Sequence, residues 1–493
     1  MSTPMFVWMI ALPVIASPVV YLSGHLGRRI GTRLAPWVAL IALLAAWVPF
    51  ALAIPEIGAV FHVGAISLKL DGLSLLLAAV ALGLGTLVAL YSGPYLSHEA
   101  GTEKYFAMLV AMVGVMIGLG CAADLFNLWV WFEAMAVTSY LLVAFYREQP
   151  TSLEAGVKYL MQSAAGSALV LLGIGLVLAQ TGTLDLASIH AFAVPTPALL
   201  AAGALFVIGF GVKAALVPMH TWLPDAHSMA PSGISAMLSG VVIEAGVVAM
   251  LRSVAALAGV TTSWGVVLMV FGALNMLLGN LMALRQTQVK RLLAYSSLAH
   301  VGYMLVGLGV AAYAGEAAGA QGGLFHLLNH GLMKGLAFLA AGALLYVLHV
   351  ATGSHAPLTV DDLSGAARRY PLVALALSLA VLGLGGLPPL AGFMSKWQIF
   401  VAGFATHNPW IEALVVFAAL NSLLSLAYYA PLVNALYRNQ PSEAVTRGQP
   451  MPLAMNVPLA LMGLAVIVIG VWPSILSWLT GPAGAALMAS LGG

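Results

Sequence analysis

The segment FVIGFGVKAALVPMHTWLPDAH, residues 206–227, starts as an apolar helix and then breaks. Lys213 stands inside the apolar run, and Pro218 and Pro224 follow it. Proline removes a backbone donor and disrupts the local helix. At membrane depth a broken helix is tolerated only where protein or water satisfies the freed backbone. A charge and a break in one apolar segment therefore describe a membrane helix that lines an internal path. A second stretch repeats the arrangement: Gly385-Gly386-Leu387-Pro388-Pro389 precedes Lys396. Both share a G-x-G pattern, at Gly209/Gly211 with Trp222 and at Gly383/Gly385 with Trp397. Paired broken helices in two halves of a transporter point to its ion site.

The rest of the chain agrees with a membrane solvent. It has 493 residues, 62% hydrophobic and only 7% charged, against about 25% charged in a soluble domain. A polytopic all-α membrane protein follows. The net charge of +2 argues against a nucleic-acid partner. The single cysteine, Cys121, excludes a disulfide within the chain and any C-x-x-C metal or iron–sulfur site. No Gly-rich nucleotide loop follows a strand, and no P-loop occurs, so nucleotide-driven transport and flavin or NAD chemistry are not expected here. No cofactor and no metal are expected. The first apolar stretch lacks a basic n-region and a small-residue cleavage site before Gly24, and reads as a retained span.

A membrane helix needs about 20 apolar residues. Fourteen candidates run approximately over 5–23, 35–54, 72–96, 105–122, 125–146, 158–180, 196–218, 232–257, 263–284, 291–313, 320–349, 371–403, 410–437 and 453–480. Residues 58–71 alternate and contain a glycine, which predicts a short hairpin outside the membrane. The longest polar connection falls near 352–370, so 1–493 forms one membrane domain. With the N-terminus outside, thirteen of the 18 lysines and arginines fall on the inner side, two fall outside and three lie within spans. That bias is what the positive-inside rule expects, with both termini on the non-cytoplasmic side of a cell membrane. The broken helices are spans 7 and 12. An odd offset of five inverts a repeat, so spans 4–8 (about 105–257) and 9–13 (about 263–437) read as inverted five-helix repeats, flanked by spans 1–3 and 14.

Five charges lie mid-span: Glu133, Lys213, Glu244, Lys334 and Lys396. Each costs roughly 2.5–3.5 kcal/mol at the bilayer centre on insertion scales, and an ion or proton pathway is the default reading. A purely structural Glu133 is disfavoured, because Ser or Asn would serve at lower desolvation cost. Lys213 and Lys396 each have a competing reading as snorkelling lysines near an interface. Glu244 has too short a stem for that, and reads as a relay or as the counter-charge of a buried lysine. His326, His330 and Lys334 recur every four residues and share one helix face. A structural stripe competes there, as does a metal or b-type haem held by the two histidines. Bis-histidine haem in a bundle takes ligands from facing helices, and no second pair is visible. A proton relay fits better, since histidine exchanges protons near neutral pH, and His300 extends it. Lys290 reads as an ordinary interfacial cation.

Taken together, these segments resemble the antiporter-like membrane subunits of respiratory complex I, of group 4 membrane-bound hydrogenases and of Mrp-type cation/proton antiporters. The stretches that carry the resemblance are W-F-E at Trp131–Glu133, KYLMQSAAGSALVLLGIGLV at 158–177 and GVKAALVPMHTWLPDAHSMAPSGISAMLSG at 211–240. QVKRLLAYSSLAHVGYM at 288–304, FHLLNHGLMKGLAFLAAGALL at 325–345 and GGLPPLAGFMSKW at 385–397 complete them. The resemblance covers spans 5 to 12, and implies fourteen helices with inverted five-helix repeats and two broken helices. It implies a proton path that starts at an ion pair between Glu133 and Lys213, continues through the His326/His330/Lys334 face, and ends at Lys396.

One departure stands out. The family usually has a bridging lysine thirty-one residues after the span-7 lysine, and here that position is Glu244. A cation beside it, Lys213 or Lys334, is expected. The family's long lateral helix is absent, which resembles its shorter subunits. HTWLPDAH resembles a complex I subunit and the hydrogenase type, whereas Lys396 in place of Glu favours the Mrp D-type. The expected function is a proton-translocating subunit of a complex I-like NADH:quinone oxidoreductase or membrane-bound hydrogenase. A D-type Na⁺/H⁺ antiporter subunit of an Mrp-type complex is the alternative, and a haem-binding membrane anchor the third reading. Expected partners are other membrane subunits, including further antiporter-like ones, hydrophilic redox subunits in a redox complex, protons and, in the antiporter reading, Na⁺.

Overall fold

The computed structural model describes residues 3–64, 66–352 and 356–492. Apolar helices dominate. Span 1 is Met5–Arg29 and span 2 is Ala35–Ala53. The antiparallel strands Val60–Val63 and Ile66–Lys69 then form the expected hairpin, apart from Ala65, which lies outside the described residues. Spans 3 to 6 are Gly72–Tyr95, Thr102–Cys121, Leu125–Val143 and Pro150–Thr181. Span 7 is two pieces, Pro197–Lys213 and Trp222–Met229. Spans 8 to 11 are Ser232–Ala256, Trp264–Ala283, Val289–Ala314 and Ala317–Leu348. Span 12 is again two pieces, Pro371–Gly385 and Ala391–Ala405, and spans 13 and 14 are Pro409–Leu436 and Leu453–Val471. Part of the polar connection expected near 352–370 lies outside the described residues.

Local chemistry sets the ends. Asp71 and Ser74 close a capping box on span 3. Asp124 and Thr196 cap spans 5 and 7 with their side-chain oxygens. Spans 6, 7, 12 and 13 begin with a proline, whose missing donor costs nothing in a first turn.

Span 14 is shorter than the sequence suggests. Trp472 leaves helical geometry immediately before Pro473, as the residue before a proline tends to do. A further helix, Ser477–Leu491, follows one short turn. It is apolar enough to cross a membrane, but it lies across helix ends instead. Its Pro482 meets Gly72 at the start of span 3, and its Gly484 meets Gln321 near the start of span 11. Among the described residues thirteen helices are long and apolar enough to span, this one included when its preceding turn, Pro473–Leu476, is counted with it. The other twelve and the two broken helices give fourteen spans.

Span 8 is buried along its whole length, and spans 4, 10 and 11 nearly so, while spans 1 and 13 turn most of their surface outward. The centre of the bundle is therefore where spans 8, 10 and 11 meet. Spans 8 and 11 touch backbone to backbone: a Cβ added at Gly331 would lie 2.6 Å from the Gly240 carbonyl. Only small residues allow that approach between membrane helices.

Protein groups satisfy both breaks. In span 7 the Val217 N–H donates to Asn275 Oδ1 at 2.8 Å, and Asn275 Nδ2 donates to the Ala215 carbonyl at 3.1 Å. Trp222 Nε1 donates to the Val212 carbonyl at 2.8 Å. In span 12 Lys396 Nζ donates to the Leu384 carbonyl at 2.7 Å, and Ser422 Oγ to the Gly385 carbonyl at 3.0 Å. The peptide bonds Val217–Pro218 and Pro388–Pro389 within these breaks are cis.

Candidate ion-translocation site

Lys213 is the last residue of the first half of span 7, and it is fully buried. Its Nζ donates to Ser163 Oγ at 2.8 Å and sits 4.0 Å from the centre of the Tyr159 ring. That ring stacks on Trp222 from the other half of the span, with centroids 4.0 Å apart. A snorkelling lysine would reach the surface, and this one does not. Glu133 on span 5 is only half-buried, and its Oε1 has no hydrogen-bond partner among the described residues. The direct Glu133–Lys213 ion pair expected from the sequence is not formed. Ser163 and the Tyr159 ring already occupy the ammonium, and Glu133 acts on it through space.

Glu244 also finds a partner the sequence did not suggest. Its Oε1 lies 3.0 Å from His330 Nδ1, and both side chains are fully buried. Neither Lys213 nor Lys334 reaches it. The close approach of Gly240 and Gly331 sets this pairing, because it brings the following turn of span 8 against His330. A single π-type turn, Leu238–Val242, immediately precedes Glu244. Such turns change the phase of a helix and are frequent at functional sites.

The His326/His330/Lys334 face points into the protein along its whole length. Its members nonetheless reach different spans. His326 Nε2 lies 3.0 Å from His300 Nδ1 on span 10, and His326 Nδ1 lies 2.9 Å from Ser395 Oγ on span 12. The His300 ring stacks on both neighbours, with centroids 5.2 Å from His326 and 5.4 Å from His330. Lys334 Nζ donates to the Leu293 carbonyl at 2.8 Å and makes a short hydrogen bond to Ser296 Oγ. Lys396, one residue beyond Ser395, donates to Ser422 Oγ at 2.8 Å and lies 4.5 Å from the centre of the Tyr303 ring. It is buried as well and does not snorkel. Pro218, Pro388 and Pro389 lie in the breaks beside Lys213 and Lys396.

Polar side chains therefore run Glu244–His330–His300–His326–Ser395 across spans 8, 11, 10 and 12, with Lys396 adjoining. A neutral imidazole both donates and accepts, so the hydrogen-bonded contacts Glu244–His330 and His300–His326–Ser395 can hand a proton along, whereas His330 and His300 meet only ring on ring, and His330 Nε2 has no hydrogen-bond partner among the described residues. The paired histidine nitrogens here meet another histidine, Ser395 or Glu244 rather than converging on a common centre. Among the described residues no group of three or more His, Cys, Asp or Glu gathers around a metal position.

Some participants are not evident in the sequence. Lys290 is buried, and its Nζ donates to the Ala230 carbonyl at 2.5 Å, so the expected interfacial cation lies beneath the connection between spans 7 and 8. His227 is buried against Phe338, with ring centroids 4.6 Å apart, and neither of its nitrogens has a hydrogen-bond partner among the described residues. It lies within electrostatic reach of both Lys290 and Lys334. The serines that receive the three lysines, Ser163, Ser296 and Ser422, are also part of the site. Serine is common, and only its depth beside a lysine marks it.

Comparison with known proteins agrees with this architecture. Residues 122–422, more than half of the chain, match the family described as NADH:quinone oxidoreductase/Mrp antiporter, transmembrane. Residues 61–106 match the N-terminal region of complex I chain 5. F(420)H(2) dehydrogenase subunit N of Methanosarcina mazei is 34% identical over 414 residues, 83% of this chain and 82% of that protein. NADH-quinone oxidoreductase subunit N 1 of Sorangium cellulosum is 36% identical over 407 residues, 79% of this chain and 78% of that protein. Among solved structures, the archaeal membrane-bound sulfane sulfur reductase contains a chain with a TM-score of 0.87 at 28% identity, covering 99% of this chain and 100% of that one. Respiratory complex I of Thermus thermophilus gives 0.78 at 27% identity, covering 95% and 98%. The Mrp complex of Dietzia sp. gives 0.86 at 23% identity, covering 99% of each chain, a likeness of fold. The chain belongs to the NADH:quinone oxidoreductase/Mrp antiporter transmembrane family, as one of its multi-pass antiporter-like subunits.

Proposed function

We propose that this chain moves protons across a cell membrane as a subunit of a complex I-like oxidoreductase or membrane-bound hydrogenase. The observation that carries the reading is the buried succession Glu244–His330–His300–His326–Ser395, which links four spans and ends beside Lys396. Lys213 and Glu133 supply one end of the path, and Lys396 the other. Each inverted repeat, spans 4–8 and 9–13, provides one broken helix and one half-channel. The side rich in loop lysines and arginines faces the cytoplasm, so both termini lie on the other side. Other membrane subunits flank the chain, and redox chemistry in partner subunits supplies the driving force.

The test uses the purified assembly that contains this chain, reconstituted in vesicles under an imposed potassium diffusion potential. Proton flux should drop at least ten-fold in His326→Leu at unchanged subunit content. Wild-type flux in that variant removes the reading. Lys396 and the Mrp-like fold favour a second reading, Na⁺/H⁺ exchange. Its signature is ²²Na⁺ uptake driven by a pH gradient and abolished by Lys396→Ala.

A further inference from the structure

A cavity of about 1050 Å³ opens between spans 1, 4 and 5 on the side rich in basic loops, and no relay residue lines it. Its mouth and its body differ in chemistry. The mouth carries Glu99, Lys104, Arg147 and Glu148, together with the Arg28–Glu103 ion pair at 2.9 Å. The body is lined by Pro18, Tyr21, Met108, Leu141 and Leu142. From Arg28 back to Ser17 the helical rise amounts to roughly 16 Å, so the cavity runs from the interface well into the apolar layer. A space that is charged at the interface and apolar at depth fits an amphiphile. Basic pockets between membrane helices on the cytoplasmic face are a recurrent form of lipid-headgroup site.

The charges narrow the class. Among the described residues Lys104 and Arg147 make no salt bridge, and neither do Glu99 and Glu148, so two cations and two carboxylates face the opening without an ion-pair partner there. An anionic headgroup would satisfy the cations and leave two carboxylates facing its own charge. A choline headgroup has no N–H to offer them. A headgroup with a phosphate and a primary ammonium satisfies both pairs. We propose that the cavity between spans 1, 4 and 5 binds one phosphatidylethanolamine, its phosphate on Lys104 and Arg147 and its ammonium on Glu99 and Glu148. This site is independent of the proton-path reading.

Photo-crosslinking in native membranes tests it. Met108 is replaced by benzoylphenylalanine in the full chain, within its assembly, and the adduct is identified by mass spectrometry after illumination. The expected adduct is phosphatidylethanolamine, enriched several-fold over its share of the bulk lipid. Lys104→Ala combined with Arg147→Ala should cut the adduct at least five-fold at equal subunit yield. Glu99→Gln combined with Glu148→Gln should keep a lipid adduct but lose the preference for phosphatidylethanolamine over phosphatidylcholine. An adduct that merely mirrors bulk lipid composition would overturn the proposal. So would a cross-link to another polypeptide, or an adduct indifferent to both double variants. A free phosphate in the mouth would yield no adduct at Met108, and that result counts against a lipid as well.

Discussion

The Glu244 carboxylate and the His330 imidazole lie 3.0 Å apart between two helices that touch through Gly240 and Gly331, with no water-exposed surface on either group. The position at which the family resemblance implies a bridging lysine is thus occupied here by an acid with a basic partner one helix away. Glu244 Oε2 and His330 Nε2 keep free hydrogen-bonding capacity. The pair can therefore take part in transfer as well as holding itself together.

Glu244→Gln and His330→Ala should each lower proton flux several-fold, and the double variant should lose little more than either single one. Removing one partner leaves the other buried and unsatisfied, at about 1–3 kcal/mol. Glu244→Lys places a cation against His330, one turn from Lys334, and should also impair flux. Additive losses in the double variant would show that the two residues act separately.

Lys334→Ala should abolish most proton flux while leaving assembly intact. The Leu293 carbonyl also accepts from Ser297 Oγ at 3.1 Å, so the change strands no backbone group. Subunit yield and vesicle acidification measure the two effects separately. Wild-type acidification would make Lys334 a structural residue.

Gly331→Ala should act without altering any titratable group. The new methyl would lie 2.6 Å from the Gly240 carbonyl and 3.2 Å from Glu244 Oε2. Overpacking of this kind costs about 1–3 kcal/mol. A melting temperature equal to wild type, with normal flux, would contradict the close approach of spans 8 and 11.

Asp71, just before span 3, gives a prediction in pH. Burial raises its pKa, but the bidentate Arg252 guanidinium, at 3.0 and 2.9 Å, and the Ser74 N–H hold it below the usual aspartate value overall. A depressed folded-state value contributes stability that is complete above the unfolded value of about 3.9 and is lost as pH falls through the folded one. Asp71→Asn should therefore cost about 3–5 kcal/mol at neutral pH, by leaving Arg252 uncompensated. The variant should also lack the acid-side loss of stability that wild type shows below about pH 3.9. Thermal melts of both proteins across that range decide the matter.

Much of the architecture was legible because membrane helices announce themselves by apolar length, and breaks by proline. Lys213 with Pro218, and Lys396 with Pro388 and Pro389, marked the two interrupted spans directly. The boundary of span 14 was missed because the residues on both sides of Pro473 are apolar enough to span. Partners were harder to read than participants. The four-residue spacing of His326, His330 and Lys334 gave their common face, but the rotation of span 11 against span 8 decides that His330, not Lys334, meets Glu244. Lys290 looked interfacial because it opens a helix. Only the fold places the connection after Met229 over it.

Three of the buried lysines, Lys213, Lys334 and Lys396, share a further property. Lys213 ends on Ser163, Lys334 on Ser296 and the Leu293 carbonyl, and Lys396 on Ser422 and the Leu384 carbonyl. None ends on a carboxylate. A hydroxyl accepts from an ammonium and can turn to donate to a neutral amine. Each cage can therefore hydrogen-bond either form of the lysine. A fixed counter-ion would trap the proton at one station, whereas these neutral seats leave its residence to the neighbouring charges, so that an event at one end of the chain can be felt as a change of occupancy at the next.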